Sequence, residues 1–191
     1  MNGEIVNINK TSDSPSNNTI GSLYEWMEAA VFSLLCVTLV FSFLFRIVSV
    51  DGNSMNRTLF HGDRLIITRL FYTPKRGDII IINRYTQEPL VKRVIAVGGD
   101  TLEIIGDSQE VIVNGKVVNE SSYSIGITEP IEYQNEYKAK PIPDGWLFVM
   151  GDNRENSRDS RTMSEIGFIK YEDIMGKAIF RFFPISQVGG L

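Results

Sequence analysis

The sequence of 191 residues contains one cysteine and one histidine. With Cys36 alone, no intramolecular disulfide can form and no metal site can be built from cysteines. With His61 alone, histidine-rich metal centres are excluded as well, and neither a metal nor another cofactor is expected. Basic residues are not in excess either. Lys and Arg number 19 against 23 Asp and Glu, giving a net charge of −4, so the footprint of a nucleic-acid binder is missing. Any domain outside the cytoplasm must therefore hold together by packing rather than by cross-links.

What is present is a long apolar run. No charged residue occurs from Ala29 to Phe45, AAVFSLLCVTLVFSFLF, with Tyr24 and Trp26 before it and Arg46 after it. Aromatic and basic residues at such positions suit membrane interfaces. With Arg46 snorkelling, the segment 25–48 is long enough for a bilayer core of roughly 30 Å. A cleavable signal peptide would need a basic start and a small-residue cleavage site, whereas Glu25 and Glu28 precede this run. A buried helix of a soluble domain would be apolar on one stripe rather than all round. A single transmembrane anchor fits best, preceded by a flexible tail over 1–24. Its orientation is contested by charge: Lys10 precedes the span while Arg46, Arg57, Arg64 and Arg69 follow it, which favours a cytoplasmic location for the domain 49–191.

That domain reads as β-rich. Arg64–Thr68, Asp78–Asn83, Val91–Val97, Thr101–Ile105, Trp146–Met150 and Lys177–Phe183 are dense in β-branched and aromatic residues, and turn residues separate them. Asn114-Gly115 inside VIVNGKVV marks a tight hairpin. Residues 120–144 are polar and bounded by proline, which suggests an inserted loop. The expected fold is mostly β, a single transmembrane helix followed by an antiparallel β-rich domain.

Three stretches could carry chemistry. A Ser-His-Asp site would have to use His61, which lies in the loop Phe60-His61-Gly62-Asp63 and suits solvent better. A hydrolase without an imidazole base can use lysine, provided burial supplies the neutral amine. Lys92 lies inside the apolar stretch Leu90–Ile95, where a charge is costly. Alternation puts Lys92 on one face with Val94 and Ala96, and Arg93 on the other. The same pattern fits a lysine on a solvated face. Ser54 follows Gly52 in a loop and by itself is an ordinary loop serine. Its distinction is position, since six residues past Val48 it reaches at most roughly 20 Å from the apolar segment. Finally, Gly151 through Arg161 is a dense polar loop after the Trp146–Met150 strand. It suits either a solvated ion-pair loop or a scaffold that fixes a neighbouring side chain.

Together these stretches resemble the bacterial type I signal peptidases, of the Gram-positive kind. The resemblance rests on Gly52-Asn53-Ser54-Met55-Asn56-Arg57-Thr58-Leu59, on Val91-Lys92-Arg93-Val94-Ile95, on Gly151 through Arg161, and on the weaker Arg76-Gly77-Asp78-Ile79. It implies a membrane-bound serine endopeptidase that removes signal peptides from exported preproteins after an Ala-x-Ala-like site. Ser54 would be the nucleophile and Lys92 its base. Ser157 would orient the amine, Asp159 and Arg161 would pair to hold the loop, and Asp152 and Arg154 would support it. Val50, Asp51, Gly52, Met55, Leu90 and Val91 would line the substrate pockets. The implied partners are signal peptides, the lipid bilayer and the export translocon, with no nucleic acid. The implied location is the cytoplasmic membrane, single-pass, with the catalytic domain on the extracytoplasmic side, against the arginine count. Two positions depart from the family pattern. Arg57 replaces a proline, and Gly52 replaces a serine that in some members donates to the oxyanion. Two other readings share these residues. A self-cleaving Ser-Lys protease would be processed at its own N-terminal side, and a catalytically silent peptide-binding protein would hold a peptide without cutting it.

Overall fold

The computed structural model describes residues 16–85, 87–132 and 140–191 and comprises two compact units, 1–43 and 44–191. Among the described residues the first is one helix, α1 (Ser16–Leu44), about 44 Å long at 1.5 Å per residue. Within it Gly21–Leu44 is long and apolar enough to cross a membrane. Large apolar side chains are exposed on every side, among them Trp26, Phe32, Leu35 and Phe43. The hydroxyls of Thr38 and Ser42 donate back to the carbonyls of Leu34 and Thr38, at 2.7 and 2.8 Å, so these polar groups do not need water. The helix differs from the expected boundaries at both ends. Residues 16–24, expected in the tail, are helical, while residues 1–15 lie outside the described residues. At the other end the helix stops at Leu44, because Arg46–Ser49 pair as a strand instead.

The second unit is antiparallel β structure. Its strands are β1 (Arg46–Ser49), β2 (Arg64–Thr68), β3 (Ile79–Arg84), β4 (Gln87–Val97), β5 (Leu102–Ile105), β6 (Glu110–Val113), β7 (Lys116–Val117), β8 (Trp146–Met150), β9 (Ile169–Lys170), β10 (Ile174–Phe183) and β11 (Gly189–Gly190). The larger sheet runs β1-β2-β10-β3-β4-β8-β9, with β11 on β10, and β5-β6-β7 form a second sheet. The β6–β7 turn is made by Asn114 and Gly115 at φ +52° and +73°, the twist-matched turn that this dipeptide favours. Asn114 Nδ2 also donates to Asp100 Oδ1 at 2.7 Å, tying the hairpin to the turn before β5.

Three apolar clusters fill the unit, and β3 explains its run of isoleucines by feeding two of them. Ile79 and Ile81 pack with Val50, Met55, Leu59, Leu65, Ile67, Val91 and Ala178. Ile80 and Ile82 pack with Val94, Leu147, Val149, Ile169 and Ile174. A strand buried on both faces loses the polar alternation of a half-exposed one. The segment 120–144 is more than an excursion. Residues 133–139 lie outside the described residues, but Ile131 and Ile142 are buried in the third cluster with Ile104, Val113 and Phe148.

Candidate active site

The serine loop is built from its backbone. Gly52 takes φ +83°, a left-handed conformation that glycine adopts without a Cβ penalty, and lets the chain turn after Val50. Met55 O then accepts from Thr58 N and Leu59 N, closing a compact turn, and the buried side chains of Met55 and Leu59 anchor it. Ser54 is left half-buried at the surface of the turn. Its carbonyl accepts from Asn153 N at 3.0 Å, and Asn153 Nδ2 donates to Asn53 O at 3.2 Å, so the loop is stitched to the polar segment that follows β8.

Strand β4 delivers Lys92, opposite Ile80 of β3. Its side chain is only 2% exposed, and Nζ lies 2.7 Å from Ser54 Oγ. Burial lowers the amine from its ordinary value to about 8, with Arg161 and Arg158 pushing in the same direction and Asp159 and Asp152 resisting. The alternation expected along β4 holds for Val94. A register shift against β8 between Val94 and Ala96 then places Ala96 with Ile95 in another cluster.

The loop 151–161 packs beside this pair. Gly151 leaves no room for a Cβ, which would run into Ser157 Oγ, Ser157 Cβ and the Ser54 carbonyl. Asp159 accepts from Arg161 Nε at 2.9 Å and from Gly151 N at 3.0 Å, and Arg161 also donates to Arg154 O at 2.6 Å. Ser157 lies beside Gly151, but among the described residues its buried Oγ has no hydrogen-bond partner, and the Lys92 amine donates to Ser54. The supporting pair also takes partners that the sequence did not indicate. Asp152 accepts from Arg93 Nε and Nη2 at 2.8 and 2.7 Å and from Thr58 Oγ1 at 2.5 Å. Arg154, fully buried, pairs with Glu120 at 2.7 Å and donates to Thr128 Oγ1 at 2.9 Å. Tyr123 lies under the Arg93 guanidinium, 4.2 Å from its ring centroid. The position of Arg93 on the face opposite Lys92 was legible from alternation, but its carboxylate was not.

The family model for signal peptidase, peptidase S26, matches residues 23–183, which spans every one of these groups. A signal peptidase I of Bacillus licheniformis is 34% identical over 185 residues, covering 93% of this chain and 97% of the relative. The chain belongs to the signal peptidase family. It is therefore a protease. Signal peptidase I T of Bacillus subtilis (strain 168) is 35% identical over 96% of this chain and 95% of its own length. A probable signal peptidase I-1 of Synechocystis sp. (strain ATCC 27184 / PCC 6803 / Kazusa) is 35% identical, with 92% of each chain covered. Among solved structures, a crystal structure of a signal peptidase I from Enterococcus faecalis V583 matches with 27% identity and a TM-score of 0.43, over 56% of this chain and 97% of that one.

Against the signal peptidase pattern, the residues expected to line substrate pockets divide. Val50, Met55 and Val91 meet in one apolar cluster, with Met55 at 1% exposure. Leu90 packs in a different one. Val50 has spent its backbone groups, its N–H on Asp63 O and its carbonyl on Gly62 N. Asp51 is exposed and lies 2.9 Å from His61 Nδ1, so the lone histidine faces a carboxylate rather than the serine. Arg57 sits at φ +87°. A proline, fixed near −65°, cannot occupy that conformation.

Proposed function

We propose that this signal peptidase family member cleaves signal peptides from exported preproteins by a Ser54–Lys92 dyad. The observation that carries the proposal is the buried Lys92 amine 2.7 Å from Ser54 Oγ, with its pKa lowered to about 8. An amine held near 8 is neutral in an appreciable fraction of molecules at neutral pH, whereas an ordinary lysine is almost wholly charged. Neutral Lys92 accepts the Ser54 hydroxyl proton as Oγ adds to the scissile carbonyl. The resulting oxyanion takes a hydrogen bond from the Ser54 amide, which has no partner among the described residues. Lys92 then returns the proton to the leaving amine, and the acyl-serine is released by water activated in the same way.

Asp159 and Arg161 hold the loop 151–161 against the serine turn, and Ser157, whose buried hydroxyl has no partner among the described residues, orients the amine. The substrate lies as an extended strand between the serine loop and β4. Small pockets walled by Val50, Met55, Leu90 and Val91 restrict it to small side chains, an Ala-x-Ala pattern. The helix Gly21–Leu44 anchors the chain in the cytoplasmic membrane, with the β unit that begins at β1 on the extracytoplasmic side. The bilayer is then a partner, and the export translocon supplies the preproteins.

The test is cleavage of a model preprotein by the full chain in detergent across pH. Cleavage after Ala-x-Ala that rises with pH through about 8, and vanishes in Ser54→Ala and in Lys92→Ala while both variants stay folded, supports the dyad. Retained activity in either variant, or a peptide bound but never cut by the unmodified chain, overturns it.

A further inference from the structure

Arg57 is an exposed residue in a backbone conformation that non-glycine residues seldom adopt, φ +87°, three positions after Ser54. Such a conformation persists where the surroundings over-determine it. Here the surroundings are specific. Arg57 Nη1 donates to the Ser124 carbonyl at 3.1 Å. The next residue, Ile125, donates its N–H to Asp152 O, and its carbonyl accepts from Arg154 N, both at 2.9 Å. Between Asp152 and Arg154 lies Asn153, whose N–H holds the Ser54 carbonyl. These bonds close a ring that starts and ends at the serine turn and passes through the segment 124–125 and the loop after β8. On the other flank Thr58 is tied to Asp152. Among the described residues, Arg57 supplies the one side-chain hydrogen bond by which the turn itself grips segment 124–125.

We propose that Arg57 is a positioning residue for Ser54. It limits the serine turn from outside, by fastening its left-handed residue to the Ser124 carbonyl. This inference rests on the Ser54–Lys92 reading. The Ser54 Oγ position relative to Lys92 Nζ is what the link protects, so its loss acts on turnover more than on substrate capture.

The experiment compares Arg57→Gly, Arg57→Lys and the unmodified chain, all full-length in detergent, for kcat, KM and thermal midpoint. Glycine keeps the left-handed backbone and discards the guanidinium, while lysine keeps a cation that can reach the carbonyl. Arg57→Gly is expected to lower kcat about fivefold, the size for one ordinary hydrogen bond at an exposed residue, with KM within about twofold. Arg57→Lys is expected to restore at least about half of the loss. Unchanged kcat in Arg57→Gly overturns the proposal. So does a loss that lysine leaves in full, or one that falls on KM or tracks the thermal midpoint alone. Ser54→Ala run beside them separates the two ideas. If that variant still cleaves, the dyad reading fails, whatever Arg57 does.

Discussion

Replacing the base with an isosteric apolar residue should make the protein more stable as it makes it inactive. In the unfolded chain Lys92 ionises at its ordinary 10.5, and in the folded chain at about 8. At about 1.4 kcal/mol per pH unit, that drop corresponds to roughly 3 kcal/mol spent against folding wherever the unfolded amine is charged. Lys92→Met fills the same space without a charge. It forfeits the hydrogen bond to Ser54, about 1 kcal/mol, so the net gain at pH 6 to 7 is about 2 kcal/mol. The sign fixes the pH dependence. Between about 8 and 10.5 the unfolded chain holds a proton that the folded chain lacks. Wild-type stability therefore climbs with pH through this window while the variant's does not, and the difference closes to nothing or slightly reverses above it. Urea unfolding of both full-length proteins in detergent, at pH 6.5 and pH 10 by tryptophan fluorescence, reads the two values. A variant less stable at pH 6.5, or a difference that does not change with pH, refutes the argument that burial sets the amine.

Two further predictions concern the neighbours of the pair. Gly151→Ala should lower cleavage by at least about tenfold and stability by about 1–3 kcal/mol, because the added methyl meets Ser157 and the Ser54 carbonyl together. Kinetics with urea unfolding checks this, and near-normal values would mean that the loop yields freely. Asp152→Ala should destabilise by about 3 kcal/mol, since it strands the mostly buried Arg93 guanidinium and removes the acceptor of Thr58. A loss under about 1 kcal/mol in the same assay would place that ion pair among the dispensable surface pairs.

The strands were legible because their cues are local. Arg64–Thr68 and Trp146–Met150 were bounded to the residue, and Asn114-Gly115 announced its own turn. Arg46–Ser49 was not, since an apolar stretch running on from the helix reads the same whether it stays in the span or pairs with β2. The site was legible as a set of boxes but not as a wiring diagram. The Asp159–Arg161 pair was implied by the family resemblance rather than by any local cue. Glu120 with Arg154, and Asp152 with Arg93 and Thr58, join residues 34 to 94 positions apart, which no periodicity connects. The idle Ser157 hydroxyl was beyond reach for another reason, since sequence gives the neighbourhood of an oxygen and not its hydrogen bond. Likewise Arg57 was visible as a departure, while its left-handed backbone was not.

The proposed Ser54–Lys92 pair is assembled from a loop and a strand far apart in the chain, Ser54 from Lys92 by 38 positions and the stitching Asn153 from Asn53 by 100. Contacts of such span are costly to close and form late. Before they form, Lys92 is in water at its ordinary 10.5, so almost none of it is a base at neutral pH. On the proposed dyad, a half-unfolded chain would have no working base for Ser54, and cleavage would wait on the contacts that bury Lys92. On the proposed Ser54–Lys92 mechanism, the fold would act as its own safety catch.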